Sequence, residues 1–221
     1  MSTLLTINVK NLGSSSTSMY FFQKPAIYKG GPIVYTNSLF HELIGSFEET
    51  SSILTFKINM QFYAGIQQAN TSPKVGECSG YSTASRKIDL KPAKGDAKDF
   101  TTAQVDPLGL AVPTKGSGVE PGAFRIKTPI YSPPNRYNVG SAVSANGGIV
   151  LSNFVEAYPN TYTDCLPILK FYVQTGTYTP GTVMDFDQSS VDAAECDFTG
   201  GHSIIDVTRK NNGTWDTEII A

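Results

Sequence analysis

The sequence predicts an all-β protein: one antiparallel β-sandwich domain spanning 1–221, with Greek-key-like connections and at most one short helix. Three observations predict it. From Leu54 to Phe62 apolar and polar residues alternate without a break, with Leu54, Phe56, Ile58, Met60 and Phe62 on one side and Thr55, Lys57, Asn59 and Gln61 on the other. A period of two marks a strand with one face in a core and one in water. Half-solvated strands of this kind belong to antiparallel sheets, because strands covered by helices on both faces read as unbroken apolar runs. Strand-like segments also recur between clusters of Gly, Pro, Ser and Asn, the spacing of sandwiches and barrels. Finally, 221 residues is a length that a single domain of this class occupies.

Taken in order, Thr6 to Lys10 alternates with Leu5, Ile7 and Val9 inward, and Gly13-Ser-Ser-Ser-Thr-Ser18 forms a turn. Met19 to Phe22 opens the second strand, and a proline-marked loop through Pro25 and Gly30-Gly31-Pro32 precedes a strand at Ile33 to Thr36. Ser38 to Ile44 reads as the one short helix, with Ser38 as N-cap and Gly45 as stop. The region 91–121 mixes Lys, Asp, Gly and Pro and reads as a long loop insertion, either a lid or a solvated excursion. Thr128 to Pro134 is held extended by its prolines and is excluded from a central strand. Strands follow at Gly148 to Phe154, Ile168 to Val173 and Ile204 to Val207, and Asn212-Gly213 supplies the turn of a closing hairpin into Thr214 to Thr217.

Composition narrows the function classes. The net charge is -2, and Lys and Arg are scattered, so nucleic acid is not an expected partner. No apolar run reaches membrane-span length. The first ten residues lack the basic start and apolar core of a secretory signal. Cys78, Cys165 and Cys196 are odd in number and far apart, which fits free thiols and a cytoplasmic setting rather than a disulfide framework or a zinc site.

Catalytic motifs are absent: the chain has neither a G-x-S-x-G elbow nor H-E-x-x-H, and only His41 and His202 could serve in a triad. His202 follows Gly200-Gly201 and is a candidate polar anchor, with Tyr137 as a candidate catalytic partner, although a lone histidine more often has a structural role. Asp185 and Asp187 would share one side of an extended segment, as in a loop offering oxygens to calcium; the plainer alternative is a solvated acidic loop. The aromatics carry more. Among 12 Phe, 11 Tyr and 1 Trp, tyrosines at loops and strand ends offer flat apolar area with a polar handle, and Tyr131, Tyr137, Tyr158, Tyr162, Tyr178 and His202 are the candidate ligand-binding set.

The segments Val34-Tyr35-Thr36-Asn37, Ile168 to Val173 and Gly176-Thr177-Tyr178-Thr179-Pro180-Gly181 resemble parts of small, signal-less fungal β-sandwich proteins, most of unassigned function. No catalytic motif accompanies the resemblance, so it assigns no functional residue. Fungal β-rich proteins of this size include cytosolic lectins and natural-product cyclases of the hetero-Diels-Alderase type, and the resemblance admits both. The leading expectation is a non-hydrolytic, lectin-like protein gripping a glycan through loop tyrosines. The first alternative is a cofactor-free cyclase that positions a small molecule in an aromatic pocket. The second is a structural, defence or pore-forming protein assembling through sheet edges, for which a homo-oligomer would be natural.

Overall fold

The computed structural model describes residues 3–31 and 33–221; Met1, Ser2 and the Pro32 of the proline-marked loop lie outside the described residues. The elements run β1 (Leu4–Asn11), β2 (Thr17–Gln23), β3 (Ile27–Lys29), β4 (Val34–Ile44), α1 (Phe47–Thr50), β5 (Leu54–Ala69) and β6 (Ser82–Lys87). They continue with β7 (Phe100–Val105), β8 (Leu108–Leu110), β9 (Phe124–Lys127), β10 (Arg136–Ala145), β11 (Gly148–Glu156), β12 (Tyr162–Leu166) and β13 (Lys170–Thr175). The last are β14 (Val183–Met184), α2 (Phe186–Val191), β15 (Ala194–Asp197), β16 (Ile204–Arg209) and β17 (Trp215–Ile219).

The all-β expectation holds, but the strands curl instead of simply facing each other. A 12-stranded sheet runs β15-β13-β2-β4-β11-β10-β5-β1-β16-β17, with β14 on β4 and β6 on β5. Its two ends approach, and the indole N–H of Trp215 on β17 donates to the carbonyl of Asp192, just ahead of β15, at 2.8 Å. The result is a nearly closed barrel. Its interior is Leu5, Ile7 and Val9 from β1, Phe21 from β2, Phe56 and Ile58 from β5, Phe171 and Val173 from β13, Cys196 from β15 and Val207 from β16. A 5-stranded sheet, β3-β12-β9-β7-β8, covers the other half of β5 and β10. There Ala64, Ile66, Val139 and Val155 meet Phe124, Ile126 and Cys165. Pairing is not wholly antiparallel: β1–β16 and β7–β9 are parallel.

The alternation from Leu54 to Phe62 does what its period implies. Phe56 and Ile58 are buried in the barrel, Leu54 and Met60 pack against that cluster, and Phe62 packs against the second. One face of β5 serves both cores because a bulge keeps the register: Ala142 of β10 opposes Tyr63 while Ser144 opposes Asn59. The Asn59 carboxamide oxygen accepts the Gln61 N–H inside that bulge at 3.0 Å.

Three local expectations are corrected. Ser38 to Ile44 is not a helix but the second half of β4, paired with β2 through Tyr20↔His41 and Phe21↔Phe40. Cross-strand pairing of the two Phe in the barrel outweighs a weak helix propensity, and the Ser38 hydroxyl bonds the Tyr178 carbonyl instead of capping. The region 91–121 is not one loop, since it contributes β7 and β8 to the smaller sheet. Asp185 and Asp187 do not lie on an extended segment. Asp185 is the N-cap of α2, accepting the Gln188 N–H at 3.0 Å, and Asp187 sits in the first turn.

Candidate functional site

The structure sorts the candidate residues into separate places. A cleft of about 790 Å³ opens between the end of β13, the Tyr178 loop, α2 and the β16–β17 hairpin. That volume is in the range of small-ligand sites. Its floor is Tyr20, a buried ring on the outer face of β2 that stacks on Phe22 at 5.4 Å and meets Tyr178 edge-on at 5.1 Å. Phe22 in turn stacks on Tyr172 at 5.2 Å, and Phe186 of α2 closes over both. Alternation along β2 explains the arrangement: Met19 and Phe21 face the barrel interior, so Tyr20 and Phe22 are left to face α2 and the cleft.

Two glycines permit this geometry. Gly176 has φ +152°, and a Cβ there would lie 2.8 Å from the Tyr20 ring. Gly213 has φ +84° and turns the hairpin that carries Trp215 to the cleft wall. The Tyr178 backbone is anchored from below by the Ser38 hydroxyl at 2.8 Å. Behind that anchor, the Asn37 carboxamide donates to Ser79 Oγ and to the Leu151 carbonyl, both at 2.8 Å, and Ser79 N–H donates to Gly181 at 3.0 Å. These buried bonds hold the 178–182 loop against β4 and β11, although the Asn37 carboxamide oxygen itself has no partner among the described residues.

Around the aromatics the cleft is polar. Gln174 Oε1 already accepts from Thr175, and Asn212 Oδ1 from Thr214, which leaves the carboxamide NH₂ of each as a donor. Gln188, Asp192, Thr175 and Thr214 complete the wall. Trp215 uses its only N–H on the Asp192 carbonyl, so what it offers a ligand is its ring. Burial raises the Tyr20 hydroxyl pKa, with Tyr178 adding to the rise and a bond to Ser189 opposing it.

A second cleft of about 490 Å³ brings together Tyr131, Tyr137 and Tyr158 with Pro133, Pro134 and Pro159. Tyr131 meets Tyr137 edge-on at 4.9 Å and donates its hydroxyl to the Ala157 carbonyl. Arg136 closes one side, bonding Ser72 Oγ at 3.0 Å and Glu156 at 3.4 Å. Burial raises both the Tyr131 and the Tyr137 hydroxyl pKa. Tyr137 is buried, and the carboxylate lining the same cleft is that of Glu156, which Arg136 engages at 3.4 Å.

Tyr162 belongs to neither cleft. Its ring lies beneath Arg125 at 5.3 Å and Lys127 at 5.8 Å on the smaller sheet. His202 lines none of the described clefts and folds back over Gly200, where an added Cβ would meet its Nε2 at 2.7 Å. Among the described residues no group of three or more His, Cys, Asp or Glu is placed to hold a metal ion, and Asp185 spends a carboxylate oxygen on its cap. Trp215, Tyr20, Gln174 and Asn212 are the residues that sequence reasoning missed. The signal for Trp215 was the single Trp directly after the Asn212-Gly213 turn; Tyr20 carried none, because its neighbour Phe21 takes the core-facing position.

Comparison with protein-family models, with curated proteins and with solved structures finds no match to any of them. Among the described residues no helix is long and apolar enough to cross a membrane. All three cysteines are free, Cys78 exposed and Cys165 and Cys196 buried.

Proposed function

We propose that this protein is a non-hydrolytic, lectin-like carbohydrate-binding protein whose principal site is the Trp215–Tyr178 cleft. The carrying observation is an aromatic wall, Trp215 and Tyr178, rimmed by side chains whose donors have no partner among the described residues: the NH₂ groups of Gln174 and Asn212. Sugars present just this duality. Their C–H faces pack on aromatic rings, and their hydroxyls ask for amide and carboxylate partners at fixed angles. The opening of the cleft to solvent and its polar rim suit a glycan end better than an apolar polyene. Three free thiols agree with a cytoplasmic setting.

A glycan array tests the reading. The native protein should give saturable binding that a simple sugar competes, and Trp215→Ala and Tyr178→Ala should each weaken it while the far-ultraviolet spectrum stays that of the parent. Binding that both substitutions leave unchanged would move the site elsewhere.

The cyclase alternative draws its support from the second cleft, where tyrosine and proline side chains make a more apolar lining. On that reading an apolar polyene would bind there and its products would change in stereochemical ratio, with Tyr158→Phe and Tyr131→Phe reducing the effect. Assembly through sheet edges has less support, because the terminal strand β17 carries exposed Asp216 and Glu218, charges that discourage edge pairing.

A further inference from the structure

Resting on that reading, we infer that the Trp215–Tyr178 cleft selects sugars bearing a free amine, of the glucosamine type, over their acetylated or acidic counterparts. The determinant is the pairing of Asp192 with Trp215. The Asp192 carbonyl accepts the indole N–H at 2.8 Å, so its carboxylate is tied to the neighbourhood of whatever packs on that ring. Asp192 is the one charged side chain lining the cleft, and its carboxylate makes neither an ion pair nor a hydrogen bond among the described residues.

Neighbouring charge reinforces it. Asp185 and Asp187 on α2 have no cationic partner among the described residues. Two nearby lysines are engaged: Lys210 is held by Asp216 at 2.8 Å, and Lys170 by Glu195 at 2.9 Å and Asp197 at 2.8 Å. Arg209, on β16 of the hairpin, has no carboxylate partner among the described residues; it donates to the Asn11 carboxamide oxygen at 3.5 Å and lies 4.0 Å from where a Cβ on Gly213 would stand. An ammonium on the ligand would therefore gain the carboxylate and the aromatic faces together, since both attract cations. A ligand carboxylate would meet the Asp192 carboxylate instead.

Calorimetric titration of the full chain at about pH 6, where an aliphatic amine is protonated, separates the outcomes. The probes are chains of equal length: glucosamine, N-acetylglucosamine and an alternating uronate polymer. The free amine should bind about twofold to fivefold more tightly than the acetylated chain, the range an exposed ion pair supplies, and the uronate chain least. The preference should shrink in high salt and vanish in Asp192→Asn, which keeps the main-chain carbonyl that orients Trp215. Equal binding of free and acetylated chains by the parent, or a preference that survives Asp192→Asn, overturns the inference while leaving carbohydrate binding standing. Heat of binding from none of the chains, together with a blank glycan array, removes both.

Discussion

Replacing Phe56 by Ala should cost about 4 to 5 kcal/mol. The ring is completely buried, stacks on Phe21 at 4.4 Å, and lies 6.0 Å from Phe40 and 6.5 Å from Phe171. Removing its area from the core forfeits roughly 2 to 3 kcal/mol of transfer free energy. A residual cavity of roughly 75 to 100 Å³ adds about 2 kcal/mol at 24 cal/mol per Å³. The barrel here is closed by strands distant in sequence, β1, β2, β5 and β13, so collapse around the hole would require several of them to shift together. Urea denaturation followed by circular dichroism reads the loss as a lower midpoint at unchanged slope, and the melting temperature should fall by about 8 to 20 °C. Lys57→Ala, one residue along on the exposed side of the same strand, should stay within about 0.5 kcal/mol. A loss under about 1 kcal/mol for Phe56→Ala would refute its place at the centre of the barrel.

Three further outcomes follow. In the native state one thiol, Cys78, should react rapidly and three after unfolding, because Cys165 and Cys196 are buried and burial pushes the Cys165 thiol up to about 12; three fast equivalents in native protein would contradict this. Acid should weaken the β13–β15 corner, where bonds from Lys170 and Thr199 lower the Asp197 carboxyl pKa to about 2. A carboxylate depressed in the folded state stabilises above its unfolded pKa, and that contribution fades as pH falls from about 4 towards 2. The stability profile of Asp197→Asn should be flatter in that window, and an unchanged profile would dismiss the ion group. Asp185→Ala should lower stability by about 1 kcal/mol, the usual worth of an N-cap, and added calcium should not raise the melting temperature of the parent; a calcium-dependent rise lost in Asp185→Asn would restore the metal reading.

What the sequence made legible was local. The alternation at Leu5, Ile7 and Val9 and at Phe56 and Ile58 appears in the structure as buried positions, and Asn212-Gly213 turns the hairpin it signals. The reading failed where a distant partner decides. Ser38 to Ile44 looks helical in isolation but pairs with β2, and Phe100 to Val105 looks like loop but is held by β8 and β9. Curling of the large sheet depends on the parallel β1–β16 ladder between residues about 200 positions apart, which no local pattern announces. The site followed the same rule. Tyrosines were recognisable as candidate ligand-binding residues, yet only long-range pairing sorts Tyr131, Tyr137 and Tyr158 into one cleft, Tyr178 into another and Tyr162 beneath Arg125 on the smaller sheet. Trp215 joins Tyr178 because β17 and the end of α2 meet where the barrel nearly closes.

The chain has a single tryptophan, and it lines the proposed site. Its fluorescence therefore reports on that cleft alone. Titration with the sugar that competes on the array should shift and saturate the Trp215 emission with the same midpoint as the measured binding. Tyr178→Ala should raise that midpoint roughly threefold to tenfold, the worth of one aromatic contact. Saturable sugar binding with no change in Trp215 emission, or with a midpoint indifferent to Tyr178→Ala, would contradict the assignment of carbohydrate recognition to this cleft.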